Sequence, residues 1–163
     1  YDKFDGVATN LKFDTVLSLS VADCVPVCMT DDIKGNFALV HSGWRGTKSK
    51  ISKNAVDVLI KKGSEIKNIK IYLGPSISKK NYEVDFDVAQ YFSDRSYDFN
   101  GKKYLLDIRS QIRDDLVDIG IDESNITYSK RCTYDEHDLC SFRRDGVKAG
   151  RMIFLLGDYN VRV

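Results

Sequence analysis

The amino-acid sequence predicts an α+β fold, and three observations support this class. Segments of helical periodicity alternate with strand-like segments along the 163 residues. Several strand-like segments follow one another across short turn-like stretches, which favours hairpins and mixed sheets over a purely parallel sheet. The length suits a single domain, residues 1–163, with its own core, and no repeat or linker divides it.

Strand signals dominate the first third of the chain. In residues 17–29 apolar side chains alternate in a β-compatible pattern that Asp23, Cys24 and Pro26 interrupt, so we predict two strands or one broken strand. The apolar run "NFALVHS" (36–42) predicts a further strand. The Asp- and Gly-containing stretch before it is typical of a hairpin turn.

Two segments carry the spacing of amphipathic helices. Residues 48–62 place their apolar side chains on one helical face, with Thr47 or Ser49 as the N-cap and Gly63 as the stop. Residues 108–119 repeat the pattern and also end at a glycine. We therefore predict helices over both segments.

The remaining elements are expected to be short. A short helix is predicted in "VDFDVAQYF", with Val88, Tyr91 and Phe92 facing the core. Late strands are predicted in "IKIYLGPSI", which ends at Gly74-Pro75, and in "KKYLLDI", "NITYSK" and "RMIFLLG".

The charge balance indicates neither a nucleic-acid nor a membrane partner. Lys and Arg number 25 against 24 Asp and Glu, so any anion site must be local. The longest apolar stretch, residues 16–29, contains polar residues and falls short of the roughly 20 apolar residues that cross a bilayer. We expect a soluble, cytoplasmic protein. Because the chain begins with Tyr1 and shows no signal sequence, we also expect an N-terminal segment to be missing from it.

The four cysteines, Cys24, Cys28, Cys132 and Cys140, favour free thiols over two disulfides, since nothing else resembles a small secreted scaffold. A four-cysteine zinc site is disfavoured, because the first two lie in an apolar, strand-like run rather than in a glycine-rich knuckle.

The segment "HSGWRGT" is the first candidate site. His41 stands where an apolar strand ends, and the following loop leads into a helix. Gly43 and Gly46 allow close approach of a ligand, Arg45 offers a forked donor, and free N–H groups near Thr47 would suit a phosphate. The alternative is a structural histidine beside a core tryptophan.

Cys24 is the second candidate. A thiol at a break in a strand suits a soft metal or, next to a base, a nucleophile, although a buried inert thiol is the commoner case. With His41 it would supply two ligands of a catalytic zinc site, which usually has three. The other histidine, His137, lies in an acidic segment typical of a solvated loop. Arg143 and Arg144 are expected either to bind an anion between them or to form surface ion pairs.

Five sequence blocks, taken in order, resemble the signature of the YfiH/YlmD-like laccase-domain family, also called the multicopper polyphenol oxidoreductase family. They cover nearly the whole chain, and so many ordered blocks rarely coincide by chance. The blocks are "VADCVPV" (21–27), "HSGWRGT" (41–47), "LGPSISKKNYEV" (73–84), "LLDIRSQI" (105–112) and "CTYDEHDLCSFRRDGVKAGR" (132–151).

The resemblance implies a zinc-dependent purine nucleoside phosphorylase that cleaves adenosine, inosine and methylthioadenosine with phosphate, and adenosine deaminase activity beside it. Two of the family's zinc ligands correspond to Cys24 and His41. The third comes from an upstream histidine motif, which residues 1–163 do not contain. The older laccase name implies copper and phenol oxidation. Two histidines cannot build several histidine-rich copper sites, so zinc is preferred and copper is the alternative.

The resemblance also implies a sandwich-like core of mixed β-sheets with flanking helices, distantly like the catalytic domain of cytotoxic necrotizing factor toxins. That likeness suggests a second hypothesis, a metal-free cysteine hydrolase or amidase that uses Cys24 and His41. The segment "GPSISKK" departs from the family's cysteine-bearing version but leaves Tyr82 and Glu83 in place.

Under the phosphorylase hypothesis, each candidate residue has an expected role. The catalytic set is Cys24, His41 and Arg45, with Cys24 and His41 as metal ligands. Phosphate would be held by Arg45, by loop N–H groups, and by Arg143 or Arg144. Asp23 would orient a metal ligand, and Glu83 would act as an acid or bind a ribose hydroxyl. One of the aromatic residues would stack on the purine, namely Trp44, Tyr82 or Phe142.

Overall fold

The computed structural model describes residues 4–10 and 15–157. Its strands are β1 (Gly6–Asn10), β2 (Leu17–Val21), β3 (Val25–Asp31), β4 (Asn36–Ser42), β5 (Lys70–Leu73), β6 (Glu83–Val84), β7 (Tyr97–Phe99), β8 (Tyr104–Leu106), β9 (Ile126–Tyr128) and β10 (Met152–Leu156). Its α-helices are α1 (Trp44–Lys48), α2 (Ile51–Lys61), α3 (Phe86–Ala89), α4 (Ile108–Asp118) and α5 (Phe142–Asp145).

The largest sheet of the described residues has five strands in the order β1-β4-β3-β5-β9. The first four strands pair antiparallel, and β9 joins β5 in parallel. The predicted hairpin turn connects β3 to β4, where Asp31 pairs with Asn36. This mixed sheet, flanked by helices, confirms the expected α+β class.

The interrupted run at residues 17–29 forms two strands in different sheets. Strand β2 pairs antiparallel with β10 in a two-stranded sheet, whereas β3 enters the main sheet. Side chains between the two sheets form a small apolar cluster around Leu17, Phe37 and Leu39. The turn between β2 and β3 therefore lies at the seam of two packed sheets.

The opposite face of the main sheet packs against the helices. Strand alternation sends Val27, Met29 and Val40 to this face, where they meet Leu59 of α2 and Leu116 of α4. All five are at most 1% exposed, and full burial of each such side chain contributes about 1.5–3 kcal/mol. This core holds β3 and β4 in fixed register beneath the loop that follows β4.

The helix predicted over 48–62 is wrong at its start. The structure contains two helices, α1 and α2, separated at Lys50, whose φ of 55° is left-handed. Neither Thr47 nor Ser49 is an N-cap, because Gly43 caps α1 and Lys50 precedes α2. The predicted stop is confirmed: Gly63 has φ of 97°, and Ser64 N donates to Leu59 O, as in a Schellman motif.

The third helix is shorter and differently oriented than its pattern predicts. Helix α3 covers four residues; Ala89 at its end and Phe92 just after it are buried in the core, and the half-buried Val88 packs against the core as predicted. Tyr91 is 48% exposed, contrary to the expected inward orientation, and its ring lies 3.2 Å from Lys48 Nζ. A cation over an aromatic face stabilises this outward position.

A small three-stranded sheet, β6-β8-β7, carries the chain from the main sheet to α4. Strand β7 was not predicted, although Asn100-Gly101 between β7 and β8 is a common hairpin turn. Gly101 has φ of 90°, as such turns require. This sheet positions Tyr82 and Glu83 next to the C-terminal segment.

Among the described helices none is long and apolar enough to cross a bilayer. Cys24, Cys28, Cys132 and Cys140 are all free thiols.

Candidate active site

Cys24 lies at the seam between the two sheets. It follows Asp23, whose φ of 73° turns the chain sharply from β2 into β3. The turn is fixed because Asp23 O accepts a hydrogen bond of 3.0 Å from Ile77 N. Left-handed backbone at a buried Asp is costly and persists only when surrounding contacts hold it.

His41 and Cys24 face the same point in space. His41 is on β4 directly opposite Pro26 of β3, two residues past Cys24. A β-carbon built on Gly43 would lie 2.8 Å from Cys24 Sγ and 3.9 Å from His41 Nε2. The thiol and the imidazole therefore converge on Gly43, and the space that a side chain would take is left open for them.

Asp5 orients the His41 ring from the other side. Asp5 Oδ1 lies 3.1 Å from His41 Nδ1, and Asp5 O accepts a hydrogen bond of 2.7 Å from His41 N. The ring nitrogen that faces Gly43 is consequently Nε2. Sequence reasoning missed Asp5, because its role depends on which strand pairs with β4.

A cleft of about 400 Å³ opens above Cys24 and His41, and we call it the Cys24–His41 cleft. Tyr82 and Phe142 contribute aromatic surface to its walls, and Arg143 and Arg151 contribute positive charge. The aromatic and cationic walls come from the β6 region and from residues 142–151, far from Cys24 in the chain. Of the predicted set, the structure thus brings together Asp23, Cys24, His41, Tyr82, Phe142 and Arg143.

The Asp23 carboxylate ties the C-terminal wall to the seam. Its Oδ1 accepts a hydrogen bond of 2.6 Å from Thr133 Oγ1, and its Oδ2 accepts one of 2.6 Å from Arg143 N. The side chain is buried, so both oxygens depend on these donors. Asp23 therefore lines the cleft, but both of its carboxylate oxygens are used to attach the wall that contains Arg143.

Arg143 and Arg144 have different environments. The Arg143 guanidinium lies 5.1 Å from the Tyr82 ring, and its Nη1 donates to Glu83 O at 2.9 Å. Part of this forked group remains directed at the cleft, which it lines.

Arg144 instead organises the loop that precedes α5. Its Nη1 and Nη2 donate to the carbonyl oxygens of Thr133, Tyr134 and Leu139 at 2.8, 3.1 and 2.8 Å. Its Nε donates to Asp145 Oδ1 at 2.9 Å. With its donors directed at the protein itself, Arg144 is structural rather than a free anion clamp.

The loop after His41 differs from its expected form. Thr47 N is not free, because it donates to Gly43 O at 2.9 Å within α1. The backbone N–H groups without intrahelical partners belong to the first turn, which begins at Trp44. Arg45 is exposed and lies 4.1 Å from the Trp44 ring, while Trp44 packs against the main core.

Two further candidates lie outside the cleft. The Glu83 side chain is exposed and accepts a hydrogen bond of 3.1 Å from Asn100 Nδ2. His137 is exposed in the loop before α5. Within residues 4–10 and 15–157, no group of three or more His, Cys, Asp and Glu side chains is arranged to hold a metal ion.

Burial shapes the protonation of the cleft. It raises the pKa of the Cys24 thiol to about 11, and the nearby carboxylates of Asp23 and Asp5 act in the same direction. Burial also raises the pKa of Tyr82 to about 12, so its hydroxyl keeps its proton at neutral pH. The thiol would ionise readily only next to a cation.

The two donors suit zinc. Thiolate sulfur and imidazole nitrogen are its commonest protein ligands, and the space at Gly43 lets Cys24 Sγ and His41 Nε2 approach one point. They amount to two of the three protein ligands that a catalytic zinc site usually has.

Solved structures with the same fold include a hypothetical protein YfiH from Bacillus licheniformis. That structure matches with a TM-score of 0.89 and 32% identity over 94% of this chain and 61% of its own. YlmD from Geobacillus stearothermophilus matches with a TM-score of 0.87 and 29% identity over 94% of this chain and 60% of its own.

Curated relatives carry enzyme names. The purine nucleoside phosphorylase YlmD of Bacillus subtilis is 36% identical over 162 residues, which cover 94% of this chain and 58% of the relative. Adenosine deaminase RL5, from an unknown prokaryotic organism, is 33% identical over 157 residues, which cover 90% of this chain and 59% of the relative. The chain thus spans somewhat more than half the length of these relatives. The profile described as multi-copper polyphenol oxidoreductase laccase matches residues 1–157, and the chain belongs to that family, which includes the YfiH and YlmD proteins.

Proposed function

We propose that this chain carries the active site of a zinc-dependent purine nucleoside phosphorylase acting on adenosine, inosine and methylthioadenosine, with adenosine deamination as a second reaction. The names of the relatives support the reaction class. The observation that carries the proposal is the convergence of Cys24 Sγ and His41 Nε2 on Gly43 at the base of an aromatic and cationic cleft.

Cys24 and His41 would hold the zinc ion, and the third protein ligand is proposed to be a histidine outside residues 1–163. A bound zinc ion supplies Lewis-acid chemistry, that is, it withdraws electron density from an atom it contacts. Copper would require histidine-rich ligand sets. The chain contributes one histidine to the cleft, whereas the other, His137, is exposed in a loop and does not line the cleft.

The walls of the cleft suit a purine nucleoside. The faces of Tyr82 and Phe142 are available to stack on a flat aromatic base. Phe142 is 51% exposed at the rim, so a bound base would remove apolar surface from water. The protonated Tyr82 hydroxyl serves as a hydrogen-bond donor towards the ligand.

The cationic residues suit phosphate. Arg143 and Arg151 line the cleft, whereas Arg45 is exposed on α1 beside the Trp44 ring. In phosphorolysis a phosphate oxygen bonds to ribose C1′ as the bond from C1′ to the purine nitrogen breaks, and the leaving purine takes up the proton that the hydrogen phosphate ion loses. Fixed guanidinium groups hold the attacking anion beside C1′ and thereby reduce the entropic cost of the reaction.

The test is phosphate-dependent release of hypoxanthine from inosine by the gene product at its natural length. We expect His41→Ala and Cys24→Ala to abolish release and metal binding, whereas His137→Ala, the matched control on the exposed loop, leaves both unchanged. Removal of zinc by a chelator should stop the reaction and added zinc should restore it. Full activity of His41→Ala without bound metal would refute the proposal.

Chelation and labelling with a thiol reagent separate this proposal from a metal-free cysteine hydrolase. Such an enzyme would keep or gain activity on amide and ester substrates after chelation, and a thiol reagent would label Cys24 at neutral pH. Because burial raises the pKa of the Cys24 thiol to about 11, the thiol stays protonated at pH 7, which disfavours that reaction.

A further inference from the structure

Asp5 does not line the Cys24–His41 cleft, yet it makes two contacts with His41. Its carbonyl oxygen accepts from His41 N at 2.7 Å, and its carboxylate oxygen Oδ1 lies 3.1 Å from His41 Nδ1. The first contact continues the pairing of β1 with β4, in which Gly6 is opposite Val40. The second joins two side chains that no sheet hydrogen bond requires to meet.

We propose that Asp5 is a positioning residue that holds His41 as the Nδ1–H tautomer and thereby directs the Nε2 lone pair at the point shared with Cys24. This inference rests on the proposed function only in taking His41 as a ligand. A carboxylate accepts hydrogen bonds and donates none, so the hydrogen between Asp5 and Nδ1 belongs to the ring. In a neutral imidazole the other nitrogen, Nε2, then carries the lone pair.

The backbone makes this arrangement specific. Because Asp5 O is fixed on His41 N, the carboxylate starts from a position already beside the ring and loses little entropy in binding it. The ring can turn about its side-chain bonds, since the His41 side chain is 33% exposed. Among the contacts of the described residues, the Asp5 carboxylate is the one on the Nδ1 side of the ring. Without it, no contact there would favour one tautomer or one ring orientation.

The first test reads the tautomer directly. Long-range nitrogen–proton NMR spectra of metal-free protein labelled with ¹⁵N-histidine distinguish protonated from unprotonated ring nitrogens, and His41→Gln assigns the signals. We expect His41 to be protonated at Nδ1 and unprotonated at Nε2 at a pH where the ring is neutral. A His41 ring protonated at Nε2 in the unsubstituted protein would overturn the proposal without any variant.

The second test uses three variants. Asp5→Ala removes the carboxylate but keeps the backbone contact, and we expect a mixed His41 tautomer and zinc affinity about 10- to 100-fold weaker. Asp5→Asn keeps an oxygen acceptor, so it should restore most of the Nδ1–H tautomer and part of the affinity. The matched control, Asp32→Ala, removes an exposed carboxylate that pairs with Lys70, far from the cleft, and should change neither.

Zinc affinity is measured by competition with a chromophoric chelator, in the gene product at its natural length. An unchanged tautomer and unchanged zinc affinity in folded Asp5→Ala would reject the positioning role even if the enzyme is a phosphorylase. The expected tautomer and affinity changes without any phosphorolysis would retain the role and reject the proposed function. If Asp5→Ala fails to fold, the unsubstituted protein and Asp5→Asn decide the outcome.

Discussion

Thr133 Oγ1 donates a hydrogen bond of 2.6 Å to Asp23 Oδ1 across 110 residues of chain. Both side chains are buried, and the other carboxylate oxygen is used by Arg143 N. This contact joins the thiol-bearing turn to the wall opposite it. This buried carboxylate is therefore one of the contacts that hold the two walls of the Cys24–His41 cleft together.

We expect Asp23→Asn to destabilise the protein by about 1–3 kcal/mol. The carboxylate accepts from both Thr133 Oγ1 and Arg143 N, whereas the amide nitrogen of an asparagine cannot accept a hydrogen bond, so one of these donors would lose its partner. Asn tolerates left-handed backbone, so the loss reports the side-chain contacts rather than the turn. Urea unfolding of Asp23→Asn, Thr133→Val and the double variant measures the coupling. Thr127→Val, on the edge strand β9, is the control and should cost under about 0.5 kcal/mol. Strict additivity of the two single changes would contradict this prediction.

Gly43→Ala is expected to displace the Cys24 thiol. The backbone at Gly43, with φ of −81° and ψ of −178°, accepts any residue, so apart from the small preference of an N-cap for glycine over alanine the cost arises from the 2.8 Å approach to Cys24 Sγ. We expect a loss of about 1–3 kcal/mol in the unfolding free energy together with weakened zinc binding. In a Cys24→Ala background the cost should largely vanish, because the next atom, Cys24 Cβ, is at 3.7 Å. Equal costs in both backgrounds would exclude the thiol as the cause.

Arg144→Lys is expected to loosen the loop before α5. A lysine cannot reproduce the forked contacts with several carbonyl oxygens, so we expect faster amide hydrogen exchange in residues 133–139 and a loss of about 1–3 kcal/mol. The Michaelis constant for phosphate should stay unchanged.

Arg143→Lys is the matched comparison for Arg144→Lys. Because Arg143 lines the cleft, its replacement should raise the Michaelis constant for phosphate and leave exchange in that loop unaffected. If the two variants exchanged these effects, the assignment of Arg144 as structural would be wrong.

Lys50→Gly should be more stable than Lys50→Ala by about 1 kcal/mol, since both lose the side chain but only glycine occupies φ of 55° without strain. Both variants lose the 2.6 Å ion pair between Lys50 Nζ and Asp115 Oδ1, so that loss cancels in the comparison. Thermal unfolding of the two variants gives the difference. An alanine variant as stable as the glycine variant would show that the left-handed residue is unstrained.

The features that the sequence predicted well have local causes. The α4 stripe, the stop at Gly63 and the β3–β4 hairpin depend on residues within a few positions of one another. The cleft was predicted in part: the end of one strand and the break in another indicated His41 and Cys24, and the family resemblance added Tyr82.

The features that were missed depend on distant contacts. The break at Lys50 leaves no trace in apolar periodicity and is supported by Asp115, 65 residues away. Asp5 required knowledge that β1 pairs with β4. The environment of Arg144 depends on the path of a loop that folds back around its guanidinium. Charge and residue type alone could not separate it from Arg143.

The order of the cleft residues along the chain has a consequence for protein synthesis. Asp5, Cys24 and His41 are synthesised at least about a hundred residues before Phe142, Arg143 and the strand that pairs with β2. A nascent chain halted after α4 would contain the thiol and the imidazole but would lack the facing arginines. Ligand selectivity should therefore arise only after residues 142–156 have been synthesised.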